Sequence, residues 1–595
     1  MQPTGLQLGR RGRRAVVIVQ VVVFATLMLG MGALAVDIGA IYTAQTELQR
    51  SADSAALAAA ARLAGNGVDS PEVLARGTAD DFARRNPVAG AVSGVEAGDF
   101  VFGQSVFNPA TRKFSFQPGG ARYDAVRVVV RRAAGSEAGP LPLMFANIYG
   151  AASQNLAAAA CAVLIPRDIA VVIDLSGSMD DDSELLHYKR FQGERGVWFD
   201  GIDISLRDVW CALDGPAPAV PYYPGPEENT EYADDTGPAI GAMSAWGHPV
   251  VPETYYPVAD PGLWYIPRSA ACTDAAARAS LLARGYTSDE ADCLLSAAYD
   301  GTTNQWRNRA AVILDLATWR SGRPGGQSGG DGDAKVEDGE YTWASYPAWR
   351  VSWTWANYLT YVSSTTSAMY GCNNAFRYRC GLKTFVNWLL ESESQHDQTS
   401  ILWQTPEQPF RSVKDAVQSL VYEIQSLNSM DRMSLEVFAT TAHHEVNLSD
   451  NLQSVPDRLY HMQTGHYDTT TNIGGGLLTA MNELASERAR SGAGKVIVLM
   501  SDGKPNVDQY GGYYGGGSQA IDDWILGIAQ QACDRGIRLY TVSVGRDVDQ
   551  ELMQAIATQG AGQHFHAEGT PEQYADQLDL IFRTLGGKRP VALIE

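Results

Sequence analysis

Basic residues are scarce in this chain. Its 46 Lys and Arg stand against 67 Asp and Glu, a formal charge of −21 over 595 residues. A surface this anionic repels phosphate backbones and anionic headgroups at long range, which excludes a nucleic-acid partner. Cysteine is also sparse: there are seven, at 161, 211, 272, 293, 372, 380 and 533, and none forms the C-x-x-C pair of a zinc site. An odd count leaves at least one unpaired in a monomer. Cys272 with Cys293 and Cys372 with Cys380 are the nearest-neighbour pairings, and spacing alone leaves the connectivity open. The composition is not that of a disordered chain either, because 45% of residues are hydrophobic and only 19% charged. A single core is excluded by length, since domains of about 150 residues imply three to four of them.

What is present begins at the N-terminus. Arg10, Arg11, Arg13 and Arg14 precede 22 uncharged residues from Ala15 to Val36, and Asp37 follows. At about 1.5 Å per residue that run reaches roughly 33 Å, enough to cross a hydrocarbon core of about 30 Å. The expectation is a short cytoplasmic basic segment (1–14), a transmembrane helix (15–36) and an extracytoplasmic remainder, because positive charge stays inside. The rival is a cleaved signal peptide, for which Ala33-Leu34-Ala35 supplies a small-x-small site, but the run exceeds the usual h-region of about 7–15 residues.

Beyond the span stand Asp37-Ile38-Gly39-Ala40-Ile41-Tyr42 and then the alanine-rich stretch Leu48-Gln49-Arg50-Ser51-Ala52-Asp53-Ser54-Ala55-Ala56-Leu57-Ala58. The lack of helix breakers predicts a continuation of the membrane helix over 37–65, ended by Gly65-Asn66-Gly67. These residues resemble the TadE/TadG-like N-terminal module of Flp (tight adherence) pilus-assembly proteins, where D-x-G-x-x-Y and L-Q-x-x-A-D-x-A-A-L-A follow a membrane helix. No glutamate sits near the start of the hydrophobic run, so prepilin-type processing is not implied and a retained anchor is expected. Residues 66–165 read as a small extracytoplasmic α+β domain, with a helix over 71–85 and strands near 99–107, 113–117 and 126–132.

The chemistry-bearing residues come next. The apolar run 169–173 ends in Asp174-Leu175-Ser176-Gly177-Ser178, and buried parallel strands place ligand loops at their carboxyl ends. A helix over 406–427, a strand over 433–440, the segment Asp468 to Gly476 opening a helix, a strand over 496–500 ending in Ser501-Asp502-Gly503, and a strand over 537–544 follow. The alternation predicts an α/β fold with a doubly wound parallel sheet. Hydroxyls and carboxylates are hard oxygen donors suited to Mg²⁺, with Mn²⁺ as the alternative. The chain here resembles a von Willebrand factor type A domain with its metal-ion-dependent adhesion site (MIDAS). Asp174, Ser176, Ser178, Thr471 and Asp502 fill that motif's five positions. The resemblance implies that Ser176 and Ser178 bind the ion directly, that Thr471 binds directly or through water, and that Asp174 and Asp502 act largely through water. It leaves one coordination position for an acidic side chain of a protein partner.

A compact domain of this kind needs only tens of residues between Ser178 and Thr471. The excess predicts an A domain split into 167–180 and 406–587 around an insertion at 181–405. That insertion holds 12 of the 13 tryptophans and 29 acidic against 16 basic residues. Trp343, Trp349, Trp353 and Trp355 cluster with Tyr341, Tyr346, Tyr358 and Tyr361, as they would in a core of its own or on a binding surface. The acidic loop 322–340 fails the spacing of a Ca²⁺ loop. Gly326-Gln327-Ser328-Gly329-Gly330 lacks the strand and helix of a nucleophile elbow, and Gly492-Ala493-Gly494-Lys495 precedes a strand instead of following one. His564 and His566 share a strand face without a third ligand, whereas His443 and His444 would point to opposite faces. The expected function is a membrane-anchored adhesion or pilus-assembly protein of a bacterial envelope, working with other pilus or envelope components and not an enzyme. The alternatives are a hydrolase or glycan-binding module in the insertion, for which Glu227, Glu228, Glu391 and Glu393 offer carboxylates without a set geometry, and a passive scaffold.

Overall fold

The computed structural model describes residues 11–63, 70–120, 123–183, 382–427, 430–515, 517–545, 548–569, 571–587 and 589–594, with shorter pieces between 264 and 380. The first helix, α1 (Arg11–Arg62), is continuous over 52 residues. Its upstream half exposes Val17, Val21, Phe24, Met28, Leu29 and Leu34, and among the described residues it is the one helix long and apolar enough to cross a membrane. Its downstream half is buried on one face, where Ala44, Leu48, Ala52, Ala55, Ala56, Ala59 and Ala60 have no solvent exposure.

That face has a defined partner. Alanine side chains let a helix approach closely, and here α1 meets α2 (Pro71–Arg85) through Ala75, Ala79 and Ala83 and an antiparallel sheet through Val126, Val128, Val130, Ala158, Ala160 and Ala162. The sheet is built from β1 (Phe100–Asn108), β2 (Lys113–Pro118), β3 (Ala125–Arg132) and β4 (Leu156–Leu164). The downstream half of α1 and the small domain therefore share one core instead of following each other as separate modules. Asp37, at the junction with the span, is 3% exposed and accepts N–H groups from Met144 (2.8 Å), Phe145 (3.0 Å) and Ala146 (2.6 Å). One carboxylate thus ties α1, just past its exposed apolar half, to the loop at the start of a 3₁₀ turn.

Pro166 leads into β5 (Arg167–Asp174), whose eight residues are all buried. Ile169, Val171 and Ile173 enter one core and Ala170 and Val172 another, so the run is apolar without alternation because both faces are covered. After the insertion, which ends with α3 (Leu382–Ser392) and a short turn, α4 (Phe410–Ser426) buries Val413, Val417, Leu420 and Ile424, each contributing roughly 1.5–3 kcal/mol. It starts four residues later than Pro406, behind the bend at Gln408-Pro409. Strands β6 (Arg432–Phe438), β7 (Ala442–Ser449), β8 (Gly494–Ser501), β9 (Ile537–Val544) and β10 (His564–Ala567) complete a six-stranded sheet in the order β7-β6-β5-β8-β9-β10. Every neighbouring pair is parallel except β6–β7, which makes the sheet mixed at one edge. Helices α5 (Ile473–Glu483), α6 (Gln519–Asp534) and α7 (Gln550–Gln559) cover one face, and α4 with α8 (Pro571–Gly587) the other. This is the doubly wound arrangement.

The chain then returns to the small domain. Strand β11 (Val591–Ile594) pairs antiparallel with β4, completing the five-stranded order β11-β4-β3-β1-β2. The outgoing and returning segments touch where Ile165 N–H donates to the Pro590 carbonyl at 2.9 Å.

At the antiparallel edge, Glu436 lies opposite His444 and Val437 opposite His443, so the adjacent histidines do face opposite ways. His444 Nδ1 sits 3.0 Å from buried Glu436. That hydrogen bond lifts the imidazole to about 9, against its own partial burial, and burial lifts Glu436 to about 6. Glu436 is ionised throughout the window from about 6.5 to 9, in which folded His444 holds a proton that the unfolded chain releases. The stability that His444 draws from its proton is present below about 6.5 and is lost as pH rises through about 9, while Glu436, raised by burial, takes up its own proton as pH falls through about 6. The expected result is a melting temperature that falls between pH 6.5 and 9 by more in the parent chain than in His444→Gln; equal slopes would remove the pair from the account.

Candidate functional site

Each loop of the site is held by a different element. Asp174 ends β5, and its Oδ1 accepts the Ser176 N–H at 2.8 Å while its Oδ2 accepts the Ser501 hydroxyl at 2.5 Å. The first contact curls the loop after β5, and the second fixes it to the end of β8. Ser176 Oγ lies 3.2 Å from Ser178 Oγ, and Ser178 Oγ donates to Asp502 Oδ1 at 2.7 Å. Thr471 reaches the same place from the loop before α5. Its N–H donates to Asn506 Oδ1 at 2.7 Å, and its Oγ1 and Ser178 Oγ both lie within 3.3 Å of the point where a Gly503 side chain would begin. All five motif residues are therefore brought together from three loops. Asp174, Ser176, Thr471 and Asp502 are buried, while Ser178 is half-buried.

The electrostatics are one-sided. Burial pushes the Asp174 carboxyl up to about 6 despite hydrogen bonds from Ser501 and Ser176. Asp502 is raised well above the carboxylate range by burial and then by the charge of Asp174. Asp180 is raised likewise by burial and by Glu407; its Oδ2 accepts the Thr464 hydroxyl at 2.6 Å, and its buried Oδ1 has no hydrogen-bond partner. Among the described residues no Arg or Lys forms an ion pair with any of these three aspartates. Concentrated carboxylates that no Arg or Lys pairs with, lined by hydroxyls, are a donor set that fits a hard divalent ion. Among the described residues no group of three or more His, Cys, Asp or Glu is placed to hold a metal, which the hydroxyl-rich chemistry of this site accounts for.

Three features here escaped the sequence. Asp180, Glu407, Thr464 and Lys414 form a buried cluster beneath the loops. Burial brings Glu407 up to about 7 and Lys414 down to about 8, and Lys414 Nζ donates to the Met462 carbonyl at 2.7 Å. The end of the insertion sits against the Thr471 loop: Gln463 Nε2 donates to the Ser394 and Thr399 carbonyls at 2.7 and 3.0 Å, and Gln395 Nε2 to Asp468 at 2.7 Å. Gly465 has a φ of +66°, and an added Cβ there would lie 2.9 Å from Ser394 Oγ, so this approach requires glycine. Ser183 Oγ accepts the Gln408 N–H at 2.7 Å, closing the two ends of the insertion onto each other. Finally, Tyr510, Tyr513 and Tyr514 are 86%, 65% and 49% exposed on the loop that follows Asp502. Aromatics set among glycines in 510–517 were the available signal.

Other sequence candidates resolve differently. His564 and His566 lie on edge strand β10 and bond Thr541 and Ser543 hydroxyls at 2.9 and 2.8 Å. Trp306, Trp355 and Trp388 are fully buried, the latter two grouped with Tyr358 and Phe385, and Glu391 accepts the Tyr361 hydroxyl. Trp349, Trp353, Tyr346, Glu227, Glu228, the 322–340 loop with its G-x-S-x-G, Cys211, Cys272 and Cys372 lie outside the described residues. Cys161 and Cys533 are free thiols.

A doubly wound sheet with hydroxyl and carboxylate loops at the carboxyl ends of its central strands defines an A-type domain, and residues 402–579 match the von Willebrand factor type A domain family. Residues 17–62 match the Flp pilus-assembly TadE/G-like family. The chain thus joins a TadE/G-like N-terminal segment to a von Willebrand A domain. Among solved structures, it is similar to BatB from Bacteroides thetaiotaomicron (16% identity, 30% of this chain and 90% of that one, TM-score 0.23). It is likewise similar to the pilus adhesin SpaC from Lactobacillus rhamnosus GG (16%, 30% and 28%, 0.24). A third is proximal thread matrix protein 1 from the mussel byssus with a zinc-occupied MIDAS motif (17%, 29% and 42%, 0.23). No match is found among curated proteins.

Proposed function

We propose that this chain is a membrane-anchored, extracytoplasmic adhesion or pilus-assembly protein that binds a protein partner through Mg²⁺ held by Asp174, Ser176, Ser178, Thr471 and Asp502. The observation that carries the reading is the meeting of five oxygen-bearing side chains from three loops in a pocket whose aspartates pair with no Arg or Lys among the described residues. Bound there, a divalent ion with mostly neutral direct ligands stays electrophilic enough to attract a carboxylate of the partner. The exposed tyrosines on the loop that follows Asp502 extend the contact, since tyrosine brings apolar area and a hydroxyl at small entropic cost. On this reading the chain binds and does not catalyse, α1 holds it in the cytoplasmic membrane with Arg10–Arg14 inside, and other pilus or envelope components are its partners.

The test is capture from envelope extract by the detergent-solubilised full chain, run in Mg²⁺ and in EDTA, beside the double variant Asp174→Ala, Asp502→Ala. A partner retained in Mg²⁺ and released by EDTA, and absent from the variant, is expected. Capture indifferent to both changes overturns the mechanism.

A further inference from the structure

The opposite pole of the A domain has the reverse electrostatic character. Around the first residues of β8 and β9 lies a cavity of about 490 Å³, lined by Arg167, Lys495, Arg538, Tyr540, Arg589 and Pro590 among others. Four basic side chains meet there in a chain of net charge −21, and the volume is within the range of small-molecule sites. One buried carboxylate, Asp431, is shared by two of them: it accepts Arg167 Nη2 at 2.6 Å and Arg589 Nη1 at 2.9 Å. Glu423 adds a weaker attraction on Arg589. Lys495 Nζ donates to the Leu484 carbonyl, and Arg538 is exposed and makes no ion pair among the described residues. Positive charge exceeds negative.

Arg589 supplies the independent observation. Its side chain is 3% exposed, yet Nε and Nη2 have no hydrogen-bond partner. On a guanidinium these two donors lie side by side along one edge, the geometry that grips two oxygens of one oxyanion. Leaving such donors unmade in the interior is costly, and burial holds the group down to about 10. An excess of more than one cation favours a dianion over a single carboxylate. We infer that this cavity binds a phosphate-class oxyanion, gripped by the Nε–Nη2 edge of Arg589 and attracted by Arg538.

A phosphate group has two sources here, a soluble phosphate ester and a phospholipid headgroup, and the test separates them. Calorimetric titration of the full chain in uncharged detergent would use inorganic phosphate, glycerol 3-phosphate and, in mixed micelles, phosphatidylglycerol. Arg589→Lys keeps the charge beside Asp431 but removes the fork, and Arg538→Gln alters an exposed residue whose loss leaves the fold intact. Saturable binding is expected for the parent chain, weakened by about tenfold or more in Arg589→Lys and measurably in Arg538→Gln at unchanged melting temperature. Binding confined to the micelles assigns the headgroup, and binding of the free phosphates assigns a soluble ester. No saturable binding of any of the three probes, or affinities equal to the parent in both variants, overturns the inference, and neither result bears on the Mg²⁺ site.

Discussion

Mg²⁺ is expected to raise the melting temperature of the full chain, and Asp174→Asn with Asp502→Asn to abolish that rise. Both carboxylates are buried and have raised proton affinity, Asp174 by burial and Asp502 by burial and by the charge of Asp174. An ion that binds only the folded state stabilises it by about 2.7 kcal/mol at a hundredfold excess over Kd. For a domain of this size that is a shift of several degrees, at roughly 2–4 °C per kcal/mol. The paired Asn variant removes like-charge repulsion, so without metal it should melt no lower than the parent. A variant that still responds to Mg²⁺ would place the ion elsewhere, and a parent that does not respond would leave the site without its cation.

The largest loss of stability is expected from Asp431→Ala. Asp431 is fully buried and accepts the Arg167 backbone N–H at 2.9 Å, its Nε at 2.9 Å and its Nη2 at 2.6 Å, as well as Arg589 Nη1 at 2.9 Å. Removing the anion strands two guanidiniums, and breaking a buried pair in this way costs about 3–5 kcal/mol. Arg167 also donates to the Leu585 and Gly586 carbonyls at the end of α8, so the loss reaches from the first strand to the last helix. Thermal and denaturant unfolding of the full chain measure it. A change below about 1 kcal/mol, the scale of an exposed pair, would mean that water replaces the carboxylate.

The residues of the candidate site were legible because each short motif sits at the end of an element whose own pattern is strong. The apolar run before Asp174 and the one before Asp502 announce buried strands, and the polar residues behind them can only be loop. The split in the A domain was legible by subtraction, and it also explains why the family match begins at 402, since β5 and its loop lie beyond the insertion. What stayed hidden depends on contacts between distant segments. Strand β4 is alanine throughout 157 to 160, which by propensity reads as helix, and only its pairing with β3 and β11 makes it a strand. The Asp180–Thr464–Glu407 cluster joins residues far apart in the chain and follows no local spacing. The clamp on Asp37 joins residues more than a hundred positions apart in the same way.

The side-by-side pairing of β4 and β11 has a mechanical meaning for the adhesive role proposed above. The A domain leaves and rejoins the five-stranded sheet through neighbouring strands that run in opposite chain directions. Traction applied at the aspartate end is therefore divided between two covalent legs pulled the same way, and it does not peel one leg from the other. On that reading yielding begins where those legs join the rest of the sheet or at the alanine face of α1, and the loops at the aspartate end are spared.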